Sequence, residues 1–285
     1  MRILVASDLT ARSDRALARG FLLARQLDAD LRVLHVVDAG LPEDLKAHSV
    51  EWAKESLSST IEKMASATGK RASLDVVTGD PGPYVVRAAD LRTADLLLLG
   101  VHSGLGAMPK TFDETTAGKI LKSSLTAALL VRSEAIEPYR NIVVGVDFSM
   151  FSKVAIRQAV QIASTARIYL VHAFQVPFKG RLGTKALINE MAYEQRLEFD
   201  EFLKDEMSSL ERHAGDLGVL PANLEIVVEE GQPEQVLRAV HDRVHGDLLV
   251  IATHGRGAIS RAIWGSVAAD LLSDPPCDVL VIKPF

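Results

Sequence analysis

The chain states one pattern twice. Arg2–Thr10 reads RILVASDLT, and Asn141–Ser149, displaced by 139 positions, reads NIVVGVDFS; both are apolar runs ending at an aspartate. Four more pairs follow in the same order: VLHVVD from Val33 with YLVHAF from Tyr169, TGDP from Thr78 with EGQP from Glu230, DLLLLG from Asp95 with DLLVIA from Asp247, and ALLVR from Ala128 with VLVIK from Val279. Five ordered pairs mark a tandem duplication of one unit. Each copy must then bury a core of its own, and every difference between copies bears on function.

The apolar runs Ile3–Ala6, Leu31–Val37, Leu96–Leu99 and Ala128–Val131, with Ile142–Val146, Ile168–Ala173, Leu248–Ala252 and Val279–Ile282 in the second copy, do not alternate with polar residues. Strands buried on both faces read this way, so the sheet is mostly parallel and covered by helices. Between the runs, Ser13–Leu27 and Glu190–His213 carry apolar residues at helical spacing. Alternating strands and helices predict two doubly wound, mostly parallel five-stranded α/β domains of Rossmann-like type. The expected domains are 1–136 and 139–285, joined through Ser133–Arg140 with Pro138 as punctuation. The last strand of each copy is apolar and nearly uncharged, an edge that tends to be paired. The two last strands are expected to meet, giving a pseudo-twofold dimer within one chain.

The net charge of −5 argues against a non-specific nucleic-acid binder. No apolar run approaches the ~20 residues of a membrane helix, and Asp8, Arg12 and Asp14 interrupt the N-terminus where a signal core would lie. The single cysteine, Cys277, excludes an intramolecular disulfide and reads as packed; a cytoplasmic location is expected.

In an open α/β sheet a ligand binds outside the carboxyl ends of the strands where strand order reverses, here the loops after the first and fourth strands. In the second copy these are Asp147 and the stretch ATHGRGAISRAIWGSVAADLL from Ala252. Gly255 and Gly257 let backbone approach a ligand. Gly265 and Ser266 open a helix whose first N–H groups, with Val267, form an anion site. Arg256 and Arg261 could add positive charge. This stretch resembles the phosphate loop G-x2-G-x9-G-[S/T] of the universal stress proteins in their tandem two-domain form, with Ala252 in place of the first glycine. The resemblance spans the whole chain twice. It implies that Asp147 contacts ribose or base, the backbone near Ala173 the adenine, and Gly255, Gly265 and Ser266 the phosphates of ATP or another adenine nucleotide, with or without Mg; Ala252, whose methyl would lie toward the ribose, His254, Arg256 and Val267 complete the candidate binding residues. It implies a stress or regulatory protein with an unidentified protein partner, and leaves open a further homodimer.

The first copy departs further. From Gly100 it reads GVHSGLGAMPKTFDETTAGKIL, with Ser103 where the second copy has Gly255. Allowing one inserted residue, Glu114 and Thr115 fall at Gly265 and Ser266, and an acidic side chain there repels phosphate. Thr111 to Glu114 also has capping-box spacing, so this helix start could satisfy its own donors. A weaker site at Asp8, Val36, Gly100, Thr115 and Thr116 is kept. Asp8 and Asp147 could instead serve as helix caps. His102 and His254 are equivalent loop residues, His35 and His172 equivalent strand-end residues. His241 and His245 lack a third metal ligand at usable spacing. No G-x4-G-K-[S/T] loop appears, so a non-catalytic binder is expected, with weak ATP hydrolysis kept open. A ligand-free interaction scaffold is the alternative. A nucleotidyl-transferring enzyme would need loops such as SGGxDS or HxGH where this chain has SDLTARS and VDFSMFS.

Overall fold

The computed structural model describes residues 1–91, 94–101, 112–176, 185–217, 223–253 and 265–283. The first repeat runs β1 (Arg2–Ser7), α1 (Ala11–Gln26), β2 (Asp30–Asp38), α2 (Glu43–Thr68), β3 (Ala72–Gly79), α3 (Pro81–Leu91), β4 (Leu96–Gly100), α4 (Thr116–Ser123) and β5 (Ala128–Val131). The second runs β6 (Asn141–Gly145), α5 (Met150–Ile162), β7 (Arg167–Phe174), α6 (Lys185–Leu217), β8 (Leu224–Glu230), α7 (Pro233–Val244), β9 (Leu248–Ala252), α8 (Ser266–Ser273) and β10 (Asp278–Ile282). The chain divides into two compact units, Met1–Pro138 with Leu272–Lys283, and Tyr139–Leu271.

In the first unit the strands lie in the order β3-β2-β1-β4-β5, all parallel. Leu96, Leu97 and Leu98 of β4 and all four residues of β5 are fully buried, as the unbroken apolar runs require. Helix α1 lays Ala16, Leu17, Phe21, Leu23 and Ala24 on this sheet. In the second unit the order is β9-β6-β7-β8, again all parallel. Here α5 buries Ala155, Ile156, Ala159 and Val160. The apolar runs of the sequence mark the inner strands. The outer strands β3 and β8 are mostly half-buried and more polar, so the same criterion passes over them. Helix α6 begins before the expected Glu190 and is fastened to α5 by a forked ion pair, Arg157 to the buried Glu206 at 2.5 and 3.0 Å.

The last strands of the two repeats do pair. β10 runs antiparallel to β5 with Leu280 opposite Leu129, so β10 is packed as a strand of the first unit. Its first residue, Asp278, is fully buried and accepts the N–H groups of Arg132 and Ser133 at 2.9 and 2.8 Å. Just beyond β10, Lys283 donates to the Leu121 carbonyl in the last turn of α4. Burial pulls its amine down to about 8, with nearby Asp90 acting in the opposite direction. Among the described residues no helix is long and apolar enough to cross a membrane.

Candidate nucleotide site

β1 lies between β2 and β4, and β6 between β7 and β9, so each strand order reverses at the loop after the repeat's first strand. The two loops share one backbone. Leu9 and Phe148 both take φ of 59°, a left-handed conformation that is costly for side chains of this size. In each, the strand aspartate folds the chain into the helix: Asp8 Oδ1 accepts the Thr10 N–H at 3.2 Å, and Asp147 Oδ1 the Ser149 N–H at 3.1 Å. The helix N-caps are Thr10 and Ser149, so the aspartates are not themselves caps. A strand-end histidine holds the loop from the side. His35 Nδ1 meets the Ser7 carbonyl and His172 Nδ1 the Val146 carbonyl, both at 2.8 Å. A carbonyl only accepts, so Nδ1 carries the proton in both.

On this shared frame the carboxylates are treated differently. Asp8 also takes the Thr10 hydroxyl and the Arg12 guanidinium, 3.2 Å away. Burial acts to raise its pKa, but the Thr10 and Ser13 hydroxyls and Arg12 outweigh it and hold the carboxyl below its ordinary value. Asp147 instead is oriented by the buried Ser152, whose hydroxyl donates to Oδ1 at 2.6 Å and receives the Asp147 N–H at 3.0 Å. Phe151 stands where the first repeat has Arg12, so that guanidinium is absent. The equivalent Ser13 pairs with Ser7 at 3.1 Å and donates to the Thr10 carbonyl. Phe148 stacks on His172, ring centroids 4.3 Å apart, and meets Phe199 and Phe202 of α6 edge-on at 5.3 and 5.5 Å.

The helices that would face phosphate differ at their first residue. α8 has glycine as its N-cap: the Ala269 N–H bonds to the Gly265 carbonyl at 3.0 Å, which leaves the N–H groups of Ser266, Val267 and Ala268 without intrahelical acceptors. The Gly265 N–H donates to the Thr253 carbonyl at 3.1 Å. This bond ties together the two ends of the 254–264 stretch and uses one donor that the sequence reading assigned to phosphate. α4 has Thr115 as its N-cap; its hydroxyl accepts the Gly118 N–H at 3.0 Å and donates to the Phe112 carbonyl at 2.6 Å. Thr115 therefore matches Gly265 and Thr116 matches Ser266. The expected match of Glu114 to Gly265 is corrected by one position, because the Thr115 hydroxyl sets the helix start. Glu114 lies in the preceding 3-10 turn, and Thr111, the expected cap, lies outside the described residues.

Gly100 has a packing role. A Cβ there would lie 2.3 Å from the Arg12 carbonyl oxygen and 2.8 Å from the Ser13 nitrogen, both backbone. The first turn of α1 thus presses on the end of β4, and only glycine fits. Ala252 occupies this place in the second repeat. Val36 and Ala173 lie in the parallel ladders of β2 with β3 and of β7 with β8, opposite Val77 and Glu229. His102, Ser103, His254, Gly255, Arg256, Gly257 and Arg261 lie outside the described residues. Sequence reasoning missed Ser152 and Phe148. The signal for the serine was present, since Asp8 and Ser13 have the spacing of Asp147 and Ser152.

The model of the universal stress protein family matches residues 1–132 and again 138–283. A universal stress protein of Methanocaldococcus jannaschii is 29% identical over 150 residues, 51% of this chain and 82% of that protein. Among solved structures, a universal stress protein from Archaeoglobus fulgidus DSM 4304 superposes with a TM-score of 0.69 at 16% identity, covering 99% of this chain and 98% of that one. A functionally unknown protein from Pseudomonas aeruginosa PAO1 gives 0.59 at 18% identity, over 99% and 92%. These two show the same fold. With both halves matched in turn, this chain belongs to the universal stress protein family.

Proposed function

We propose that this chain is a regulatory protein that binds ATP or another adenine nucleotide through its second repeat. One observation carries the reading: the helix that follows β9 is capped by glycine, whereas its counterpart after β4 is capped by a threonine hydroxyl that already consumes a first-turn donor. The N–H groups of Ser266, Val267 and Ala268 and the positive end of α8 suit a phosphate chain. Hydrogen bonds to a charged acceptor contribute about 1.5–3 kcal/mol each, so two or three together contribute about 3–9 kcal/mol toward holding a phosphate chain. In this reading Asp147, oriented by Ser152, meets the ribose or base; the backbone near Ala173 meets the adenine; His254, Gly255 and Arg256 complete the phosphate loop. The repeats act as domains 1–136 and 139–285, and nucleotide occupancy changes contacts with a protein partner in the cytoplasm.

A second reading, a ligand-free scaffold, draws on two observations: Ala252 replaces glycine, and the Gly265 N–H is already engaged. Calorimetry with ATP and AMP separates them. Micromolar binding to the native chain that disappears in Gly265→Glu with Ser266→Ala supports the nucleotide reading. No binding to the native chain rejects it in favour of the scaffold.

A further inference from the structure

Helix α6 presents one stripe to the loop after β6. Gln195, Phe199, Phe202 and Glu206 recur at helical spacing, and each touches a group that shapes that loop or the helix it opens. The side-chain amide of Gln195 reaches His172 Nε2 at 2.9 Å, on the ring whose Nδ1 holds the Val146 carbonyl. Phe199, fully buried, and Phe202 meet the Phe148 ring edge-on. Lys153 of α5 sets its ammonium 5.1 Å from the centre of the Phe202 ring, and Arg157 of α5 clasps Glu206.

The first repeat braces the same turn from within. Leu9 takes φ of 59° there, as Phe148 does. Its N–H is accepted by the Ser7 hydroxyl at 3.2 Å, and Arg12 closes on Asp8. The second repeat has Val146 at the position of Ser7 and Phe151 at that of Arg12, so neither side chain can make those bonds. Helix α2 contains no Phe or Tyr, and its one aromatic residue, Trp52, is exposed. A left-handed φ is unfavourable for a residue as large as phenylalanine and persists where the surrounding packing over-determines it. In the second repeat that packing comes from α6. We infer that the Asp147 turn and α6 form one cooperative unit with Phe148 as its positioning residue: the docked helix holds the turn with Asp147 oriented, and a ligand on Asp147 favours the docked helix in return. This reciprocity is a thermodynamic necessity for coupled sites. The consequence for nucleotide rests on the reading that the second repeat binds it; the coupling of turn to helix stands apart from that reading.

Hydrogen exchange and calorimetry on the full chain test this. Phe202→Ala removes an edge contact between α6 and the turn, and Phe202→Leu keeps apolar bulk there in case the alanine variant fails to fold. Phe148→Gly removes the ring, while glycine takes a positive φ without strain. With Phe148 present, Phe202→Ala should speed amide exchange of the turn peptide 146–153 and weaken ATP binding about fivefold or more, the lower end of ordinary coupling between sites. In the Phe148→Gly background the same substitution should change neither, because the ring that carries the coupling is gone. Leu197→Ala, at an exposed position on the opposite face of α6, should leave both at native values. Native turn exchange in a folded Phe202 variant, or an effect of equal size with and without Phe148, overturns the inference. Undiminished ATP affinity in a variant whose turn has loosened overturns it too. A native chain that binds no ATP rejects the nucleotide reading, and the exchange measurement still decides the coupling.

Discussion

The loops after β1 and β6 have the same backbone, down to the same left-handed residue and the same histidine at its flank, yet one spends its polar groups on itself and the other keeps them oriented. In the first repeat the aspartate is answered by Thr10 and Arg12, and the facing helix by Thr115. In the second, the Ser152 hydroxyl orients the aspartate, and Gly265 brings no side chain to the helix start. A duplicated fold can retain its frame while the polar groups set on it change, because the frame rests on strand order and turn geometry and the chemistry rests on which side chains answer the loop and the helix start.

The largest expected effect exploits the fourth strand. Gly100→Ala forces a methyl to within 2.3 Å of the Arg12 carbonyl oxygen, backbone that cannot swing away. Denaturant unfolding should show a loss of about 3 kcal/mol, whereas Ala252→Gly in the other copy should cost only about 0.5–1 kcal/mol. Equal effects would mean that the two helix starts press on their sheets alike. The next effect is on the carboxylates. Asp147→Ala should weaken ATP binding by about 1.5–3 kcal/mol, or ten- to a hundredfold, with Asp8→Ala leaving it unchanged. A loss from Asp8→Ala would put the ligand in the first repeat.

A smaller effect comes from moving the cap itself. Among the described residues a Cβ at Gly265 would meet only the Thr253 carbonyl, at 3.7 Å, so Gly265→Thr clashes with none of them, and threonine and glycine differ as caps by only a few tenths of a kcal/mol. Its hydroxyl would take a first-turn N–H as Thr115 does. We expect about tenfold weaker ATP binding in calorimetry, worth about 1.4 kcal/mol, at unchanged stability. Undiminished affinity would show that cap chemistry does not separate the repeats.

The smallest effect is a slope. Lys283 has a folded pKa of about 8, below its ordinary 10.5, because burial disfavours the charged amine. The unfolded chain therefore binds more protons between those values, and stability contributed by this group rises as pH climbs from about 8 toward 10.5. The stability difference between the native chain and Lys283→Met should shift in favour of the native chain over that window. A flat difference would contradict the burial of the amine against α4.

Much of this was legible in the sequence because burial writes itself in unbroken apolar runs. β1, β4, β6 and β9 are such runs, and the paired motifs placed the loops at the switch points. β3 and β8 were illegible by that rule, since half-buried strands carry residues such as Asp75 and Glu229. The start of α4 was misplaced because TFDETT offers several hydroxyls as caps, and only the folded chain decides that Thr115 is used. The repeated spacing of Asp8 with Ser13 and Asp147 with Ser152 singled the serine out, but its role as a donor to the aspartate appears only when the turn brings the two to 2.6 Å.

The central claim is that the second repeat, not the first, holds the nucleotide. Photolabelling with an azido-adenine analogue of ATP, followed by peptide mapping of the full chain, tests it most directly. The account predicts label on peptides from 139–285, clustered near Ala173 and the segment from Ala252 to Val267, and competed by unlabelled ATP. Competable label confined to peptides carrying Val36, Thr115 or Thr116 would contradict it.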